Sequence, residues 1–401
     1  MPDVAAVIDE IHDHLVDIRH DLHAHPELAF EEKRTAARVL TELTALGNLK
    51  IRTGLAGTGI TALLNADHPG PCVALRADMD ALPLQEQNAH LSYASTVPGK
   101  MHACGHDGHT TCLLGAAMVL ARLADELPGK VKFIFQPAEE NGGGGGKLVE
   151  ELGVLDNPTV AAAFALHGWP QAKVGQVMVG AGPVLAAATS FDVIVRGQGA
   201  HAAYPHTGTD VVLASAEIVS AVQAIASRWD PVDPVLVSVC QLQAGHTYNV
   251  LPDECRMKGT VRGLRQGSHD TVLERLREVI EGTAALHRCT AELELVPGYP
   301  ALVNDPTCAD LVARVAGELF GADAVDTEPA PGMGAEDFSF YARRVPSTWY
   351  RVGVADPDGS PSPALHNPQY DFHDGAIDVG VRMHCEIVRR FLADPPMWRC
   401  G

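Results

Sequence analysis

Apolar residues return every three or four positions over residues 4–24 and again over 31–46. That spacing gives two helices with one buried face each, and "HPEL" at 25–28 interrupts them. The pattern then changes to short, nearly continuous apolar runs. "GITALLNA" (59–66), "PCVALRADMD" (71–80), "GKVKFIFQP" (129–137), "TVAAAFALHGW" (159–169) and "VGQVMVG" (174–180) read as strands, with a helix at about 109–126 among them. Strands that are apolar on both faces, alternating with helices, indicate an α/β fold with a mostly parallel sheet.

A different rhythm starts near residue 185. "ATSFDVIVRG" predicts a strand, 209–227 a helix, 234–243 and 254–264 strands, 268–287 a helix, and 290–296 a strand. This β-α-β-β-α-β order is that of a ferredoxin-like α+β module. The α/β character resumes with a helix at 306–320, a strand in "PSTWYRVGV" and a closing helix at 374–393. The expected organisation is one domain in two parts, 1–184 and 297–401, with 185–296 inserted between them. The run "NGGGGG" (141–146) reads as a flexible loop.

A formal net charge of -20 argues against nucleic acid and anionic membrane as partners. The acidic N-terminal stretch does not read as a signal peptide, and the longest apolar stretch, 111–124, is too short to span a bilayer. Nine scattered cysteines without a CxxC pair suit free thiols in a reducing cytoplasm.

Five short stretches carry candidate chemistry. "MHACGHDGH" (101–109) offers Cys104 and His106, a thiolate and an imidazole suited to zinc or a similar ion. "QPAEE" offers Glu139 and Glu140, one able to bind a cation and the other to hold a proton. "ALHGWP" and "ALHNPQYDF" offer His167 and His366, and "ALRADMDALP" offers Asp78 and Asp80. Each alone also has a plain reading, as a surface histidine, an acidic loop or a structural histidine. Cys104, Glu140 and His167 all fall at or after strand ends, where open α/β sheets place their sites. Asp80 suits the role of holding a ligating histidine from behind. Asp78 as a direct ligand is the less favoured reading, and His102 and His109 read as structural.

In chain order, "MHACGHDGH", "FQPAEE", "LHGWP", "GQGAHAAYPH", "YNVLPD", "GTVRG", "GMGAEDFS" and "LHNPQYDF" resemble the metal-dependent amidohydrolases. These include hippurate hydrolases, N-acyl-amino-acid amidohydrolases and indole-acetyl-amino-acid hydrolases. The resemblance runs nearly end to end. It implies a dimetal peptidase-like catalytic domain with an inserted ferredoxin-like lid and dimerisation domain. It implies Cys104, His106, Glu140, His167 and His366 as ligands of two divalent ions, with the thiolate bridging, and Glu139 as the catalytic glutamate. His201 would steady the tetrahedral intermediate, and Asn249 and Arg262 would contact substrate. The donor set favours zinc and accepts manganese, cobalt or nickel. The implied reaction cleaves an N-acyl amino acid, and the implied assembly is a homodimer. Two other readings stay open: a deacetylase dedicated to one metabolite, such as N-acetyl-diaminopimelate or an acyl-cysteine conjugate, and a noncatalytic metal-binding scaffold.

Overall fold

The computed structural model describes residues 4–360 and 362–396. The chain divides into two compact units. One comprises residues 1–182, 303–330 and 337–401, the other 183–302 and 331–336.

An eight-stranded sheet organises the first unit. Its order is Leu49–Leu55, Gly59–Leu64, Lys130–Gln136, Cys72–Asp78, Val160–Lys173, Ser347–Ala355, Val177–Met178 and Val325–Asp326. Four of the seven pairings are parallel, and they include the three at the centre. All seven residues of Cys72–Asp78 and all nine of Ser347–Ala355 are buried, so the central strands are covered on both faces. The edge strand Leu49–Leu55 has no apolar run to announce it, because most of its side chains are exposed or half-buried.

Helix His106–Arg122 is buried from His106 through Leu120 and packs against Val4–Ala24 and Gly375–Ala393. It starts at Gly105, whose φ of +85° suits glycine. Its first turn rests on Phe372, the residue six places after His366 in the chain.

The glycine run departs from the expected flexible loop. Gly144–Gly146 is helical and continues into the helical segment Lys147–Glu151. A Cβ at Gly144 would lie 1.7 Å from the Pro137 carbonyl oxygen, and one at Gly145 would lie 2.7 Å from that of Asp337. These glycines are selected by close backbone approach.

The second unit has a four-stranded antiparallel sheet in the order Val235–Ala244, Glu254–Gly263, Ala187–Arg196, Thr290–Pro297. Helices Val211–Ser227 and Gln266–Leu286 pack on it around a core that includes Phe191, Val195, Ile218 and Leu276. This is the ferredoxin-like arrangement. No helix among the described residues is long and apolar enough to cross a membrane.

The contact between Gly108 and Phe372 supplies a test. A Cβ at Gly108 would fall 2.5 Å from the ring, whereas one at Gly317, in helix Pro306–Phe320, meets nothing within 4 Å. Gly108→Ala is therefore expected to cost about 1–3 kcal/mol through overpacking. Gly317→Ala should instead stabilise by about 0.5–1 kcal/mol through helix propensity. Denaturant unfolding of the two variants checks the opposite signs.

Candidate metal centre

Cys104 and His106 sit where the chain enters helix His106–Arg122. Glu139 and Glu140 follow the strand that ends at Gln136. Neighbouring strand residues point to opposite faces, but the chain has left the strand by here. The Asp80 carboxylate accepts the backbone N–H of Glu139 and that of Glu140, both at 3.0 Å, and so fixes the turn. His167 is a difference from expectation. It lies inside the strand Val160–Lys173, opposite Arg351, because pairing continues to Ala355 and Lys173.

Five trios of candidate donor atoms meet within 4.8 Å among the described residues, including Asp78 with His106 and His109 and Glu139 with Glu336 and Asp337; two others are Cys104 with His106 and His167, and Cys104 with Glu140 and His366. The thiol is common to both. A Glu139 oxygen lies within the same distance of the donors of His106 and Glu140.

The imidazoles are oriented for this. His106 Nδ1 lies 2.8 Å from the Asp80 carbonyl oxygen, and His167 Nδ1 lies 2.8 Å from that of Gly168. A carbonyl only accepts, so each Nδ1 carries the proton and each Nε2 keeps a lone pair. His106 Nε2 and Glu140 Oε1 are buried without a hydrogen-bond partner, as donors to a cation would be. His167 Nε2 lies 3.5 Å from Cys104 Sγ. Bonds of about 2.3 Å to sulfur and about 2.05 Å to nitrogen at a tetrahedral angle place the two donors about 3.5 Å apart. His366 Nε2 lies 3.1 Å from Glu140 Oε1, and the His366 backbone N–H donates to the Ala103 carbonyl.

The electrostatics point the same way. Burial, then Glu140, Glu139 and Asp78, pushes the Cys104 thiol well above its ordinary range. A thiolate here requires a cation. Burial, then His109, pushes His167 well below its usual value and leaves it neutral. Burial disfavours charge on His106 as well, yet Asp78, Asp80 and Glu140 outweigh it and lift His106 to about 10. A divalent ion at Nε2 would take the place of that proton.

Other polar groups nearby are already committed. His109 Nδ1 donates to Asp78 Oδ1 at 2.7 Å, and its Nε2 accepts the Gly168 N–H at 2.7 Å. Both nitrogens are used, so neither offers a free lone pair to a cation although the ring lies close enough. Asp78 Oδ2 accepts from Arg76 at 2.6 Å. Arg76 also donates to Asp337, which accepts from Gln136 and from the Gly145 N–H. His102 is buried and neutral, its value lowered by burial to about 4. The sequence pattern assigned no role to Asp337, and its only signal is its place in "GMGAEDFS".

In the second unit, His201 pairs with Val250 in a two-stranded ladder, and the Ala202 N–H donates to the Asn249 carbonyl. The structure thus brings His201 and Asn249 together. His201 Nδ1 accepts the Ala203 N–H at 3.0 Å, so Nε2 carries the proton on an exposed ring. Arg262 lies on the strand Glu254–Gly263, half-buried, with no carboxylate partner among the described residues.

The sequence pattern of the family described as Peptidase family M20/M25/M40 matches residues 74–390, a span that holds every donor named above. The chain belongs to that family. Among relatives of this M20/M25/M40 chain, the IAA-amino acid hydrolase ILR1-like 4 of Arabidopsis thaliana is 38% identical over 96% of this chain and 87% of its own length. The N-acetylcysteine deacetylase of Bacillus subtilis is 36% identical over 94% of this chain and 96% of its own. A solved Bacillus subtilis structure described as a dinuclear metal-binding peptidase of the M20 family superposes with a TM-score of 0.83 at 34% identity. That match covers 96% of this chain and 99% of the other. The M20/M25/M40 chain is a metal-binding hydrolase of amide bonds.

The shared thiol separates two cysteines of the same region. Cys104→Ala should lower the metal bound per chain by at least one equivalent. Cys112→Ala, buried in the helix, should leave the metal content unchanged. Elemental analysis of the purified variants checks both outcomes.

Proposed function

We propose that Cys104, His106, Glu140, His167 and His366 would hold two divalent ions, Cys104 being common to both donor sets, and that Glu139 is the general base. The observation that carries this reading is the pair of donor trios sharing one thiol, with the Glu139 carboxylate beside them. Zinc suits a thiolate and imidazole set best, and manganese, cobalt or nickel are compatible with it. The substrate class is N-acyl amino acids, cleaved to a carboxylic acid and an amino acid. Names of relatives include both an IAA-amino acid hydrolase and an N-acetylcysteine deacetylase.

Bound ions would polarise the scissile carbonyl and lower the pKa of the attacking water. Glu139 takes that water's proton and returns it to the departing amine nitrogen. Asp80 keeps Glu139 in place by holding its backbone N–H. His201 presents Nε2–H to the oxygen that gains charge, supported by its tautomer and exposure. Asn249, on the same ribbon, contacts the substrate. Arg262, without a carboxylate of its own, pairs with the carboxylate of the amino-acid half. The eight free cysteines among the described residues favour the cytoplasm.

A dedicated deacetylase remains the second reading, favoured by the N-acetylcysteine deacetylase relatives. Turnover across N-acetyl, N-benzoyl and indole-acetyl amino acids decides between them. A broad profile supports the general amidohydrolase, and one strongly preferred acyl group supports the dedicated enzyme. Glu139→Gln should keep both ions and lower kcat by at least about 100-fold. Near-normal turnover in that metal-loaded variant rejects the base assignment.

The assembly we propose is a homodimer built on the second unit, with His201 serving the partner's site. Strand Val235–Ala244 is a sheet edge that exposes Leu236 and Leu242. Glu139→Gln and His201→Ala should each be nearly inactive. In an exchanged equal mixture half the dimers are mixed and hold one intact site each, so about a quarter of full activity should return. No recovery after demonstrated subunit exchange places His201 in its own chain's site or outside catalysis.

A further inference from the structure

Glu32 belongs to no motif with an assigned role. It is fully buried at the start of helix Lys33–Leu46 and does not cap that helix. No basic side chain pairs with it among the described residues. A lone buried carboxylate is costly unless hydrogen bonds satisfy it. Here one oxygen accepts from the Thr58 hydroxyl at 2.5 Å. The other accepts two backbone N–H groups, from Phe30 and from Ala138, each at 2.9 Å.

Those two residues share a property. Phe30 has φ +64° and Ala138 has φ +55°, both in the left-handed region that side chains with a Cβ disfavour. Such conformations persist where surrounding contacts over-determine them. Ala138 immediately precedes Glu139. Three successive amides, of residues 138, 139 and 140, are therefore held by two carboxylates, the first by Glu32 and the next two by Asp80.

We propose that Glu32 is a positioning residue for the reaction: it holds Ala138 in its left-handed conformation and thereby aims the Glu139 carboxylate. It acts through hydrogen bonds to backbone amides, and its charge is incidental. This inference rests on the reading of Glu139 as general base. Released from Glu32, Ala138 would relax toward negative φ and turn the peptide that leads into Glu139 against the Asp80 contacts to the Glu139 and Glu140 amides, which alone would then set the side chain's direction. Misplacement of a catalytic group by about 1 Å can cost about 100-fold in rate.

The test uses the metal-loaded full chain and an N-acetyl amino acid, with kcat, KM and bound metal measured for each variant. Glu32→Asp keeps a carboxylate but shortens its reach by one methylene, so it cannot span both amides. Glu32→Ala removes the acceptor. Both should lower kcat by about 10- to 100-fold with KM within about threefold and metal content unchanged. Glu32→Gln retains an amide oxygen for the two N–H groups and can donate its NH2 to the Thr58 hydroxyl, so it should stay within about threefold of the native kcat. Should Glu32→Ala fail to fold, the comparison of Asp with Gln decides alone. The inference is overturned if Glu32→Asp keeps its kcat, if Glu32→Gln is as slow as Glu32→Asp, or if slow variants have lost metal in proportion. Glu139→Gln run alongside keeps the two ideas apart. If it is active, the base assignment fails; if it is inactive while Glu32→Asp is normal, only the role of Glu32 fails.

Discussion

The site depends on two hydrogen bonds to backbone carbonyls. By committing Nδ1–H to Asp80 and Gly168, His106 and His167 leave lone pairs at Nε2. The other tautomer would place an N–H at Nε2, and a flipped ring would place a C–H there; neither could serve the proposed cation. The carbonyls are reliable anchors because they belong to the sheet layer: Gly168 lies within a central strand, and Asp80 follows another by two residues. The sheet thus determines ring orientation as well as location. The helix that opens at His106 adds the positive end of its dipole close to Cys104 and the carboxylates.

Around this centre lies an outer layer of carboxylates that bind protein groups. Asp78 holds His109 and Arg76, Asp337 holds Arg76, Gln136 and Gly145, and Asp80 and Glu32 hold backbone amides. On the other side, Arg19 reaches Asp371, five residues beyond His366, and the His23 ring bonds Asp107 beside His106. Acidic residues of one type therefore serve two purposes, and burial alone does not tell them apart. The distinction is whether the oxygen already has donors. Glu140 Oε1 faces only the other candidate donors, with His366 Nε2 3.1 Å away, while both oxygens of Asp78 accept from groups outside that set.

Much of this was legible in the chain. The donors stand in compact motifs, and the strands that carry them are continuous apolar runs, so their type and approximate ends follow from hydrophobic period. What stayed hidden had a physical reason. Strand Leu49–Leu55 is a half-exposed edge with no apolar signature. The glycine run has the composition of a flexible loop, and only the nearness of Pro137 and Asp337 shows it to be packed. Asp337 is far from Arg76 in sequence, and Glu32 acts through the amide of Ala138, a contact that no residue type advertises. Segment 331–336, which belongs to the second unit, carries no change of pattern to mark it.

The five proposed donors are unequally shielded. Cys104, His106 and His167 are buried and Glu140 nearly so, but the His366 side chain is 54% exposed and its backbone is held at φ +62°. An ion between Glu140 and His366 would therefore meet solvent, whereas one among Cys104, His106 and His167 would be enclosed by protein. The two positions would then differ in kinetics even with similar affinities. An outer ion would both leave and return faster than an inner one. Dilution or brief chelation would yield a half-loaded protein, and a second kind of metal offered at that point would enter one position only. Mixed occupancy would then record the order in which ions were supplied.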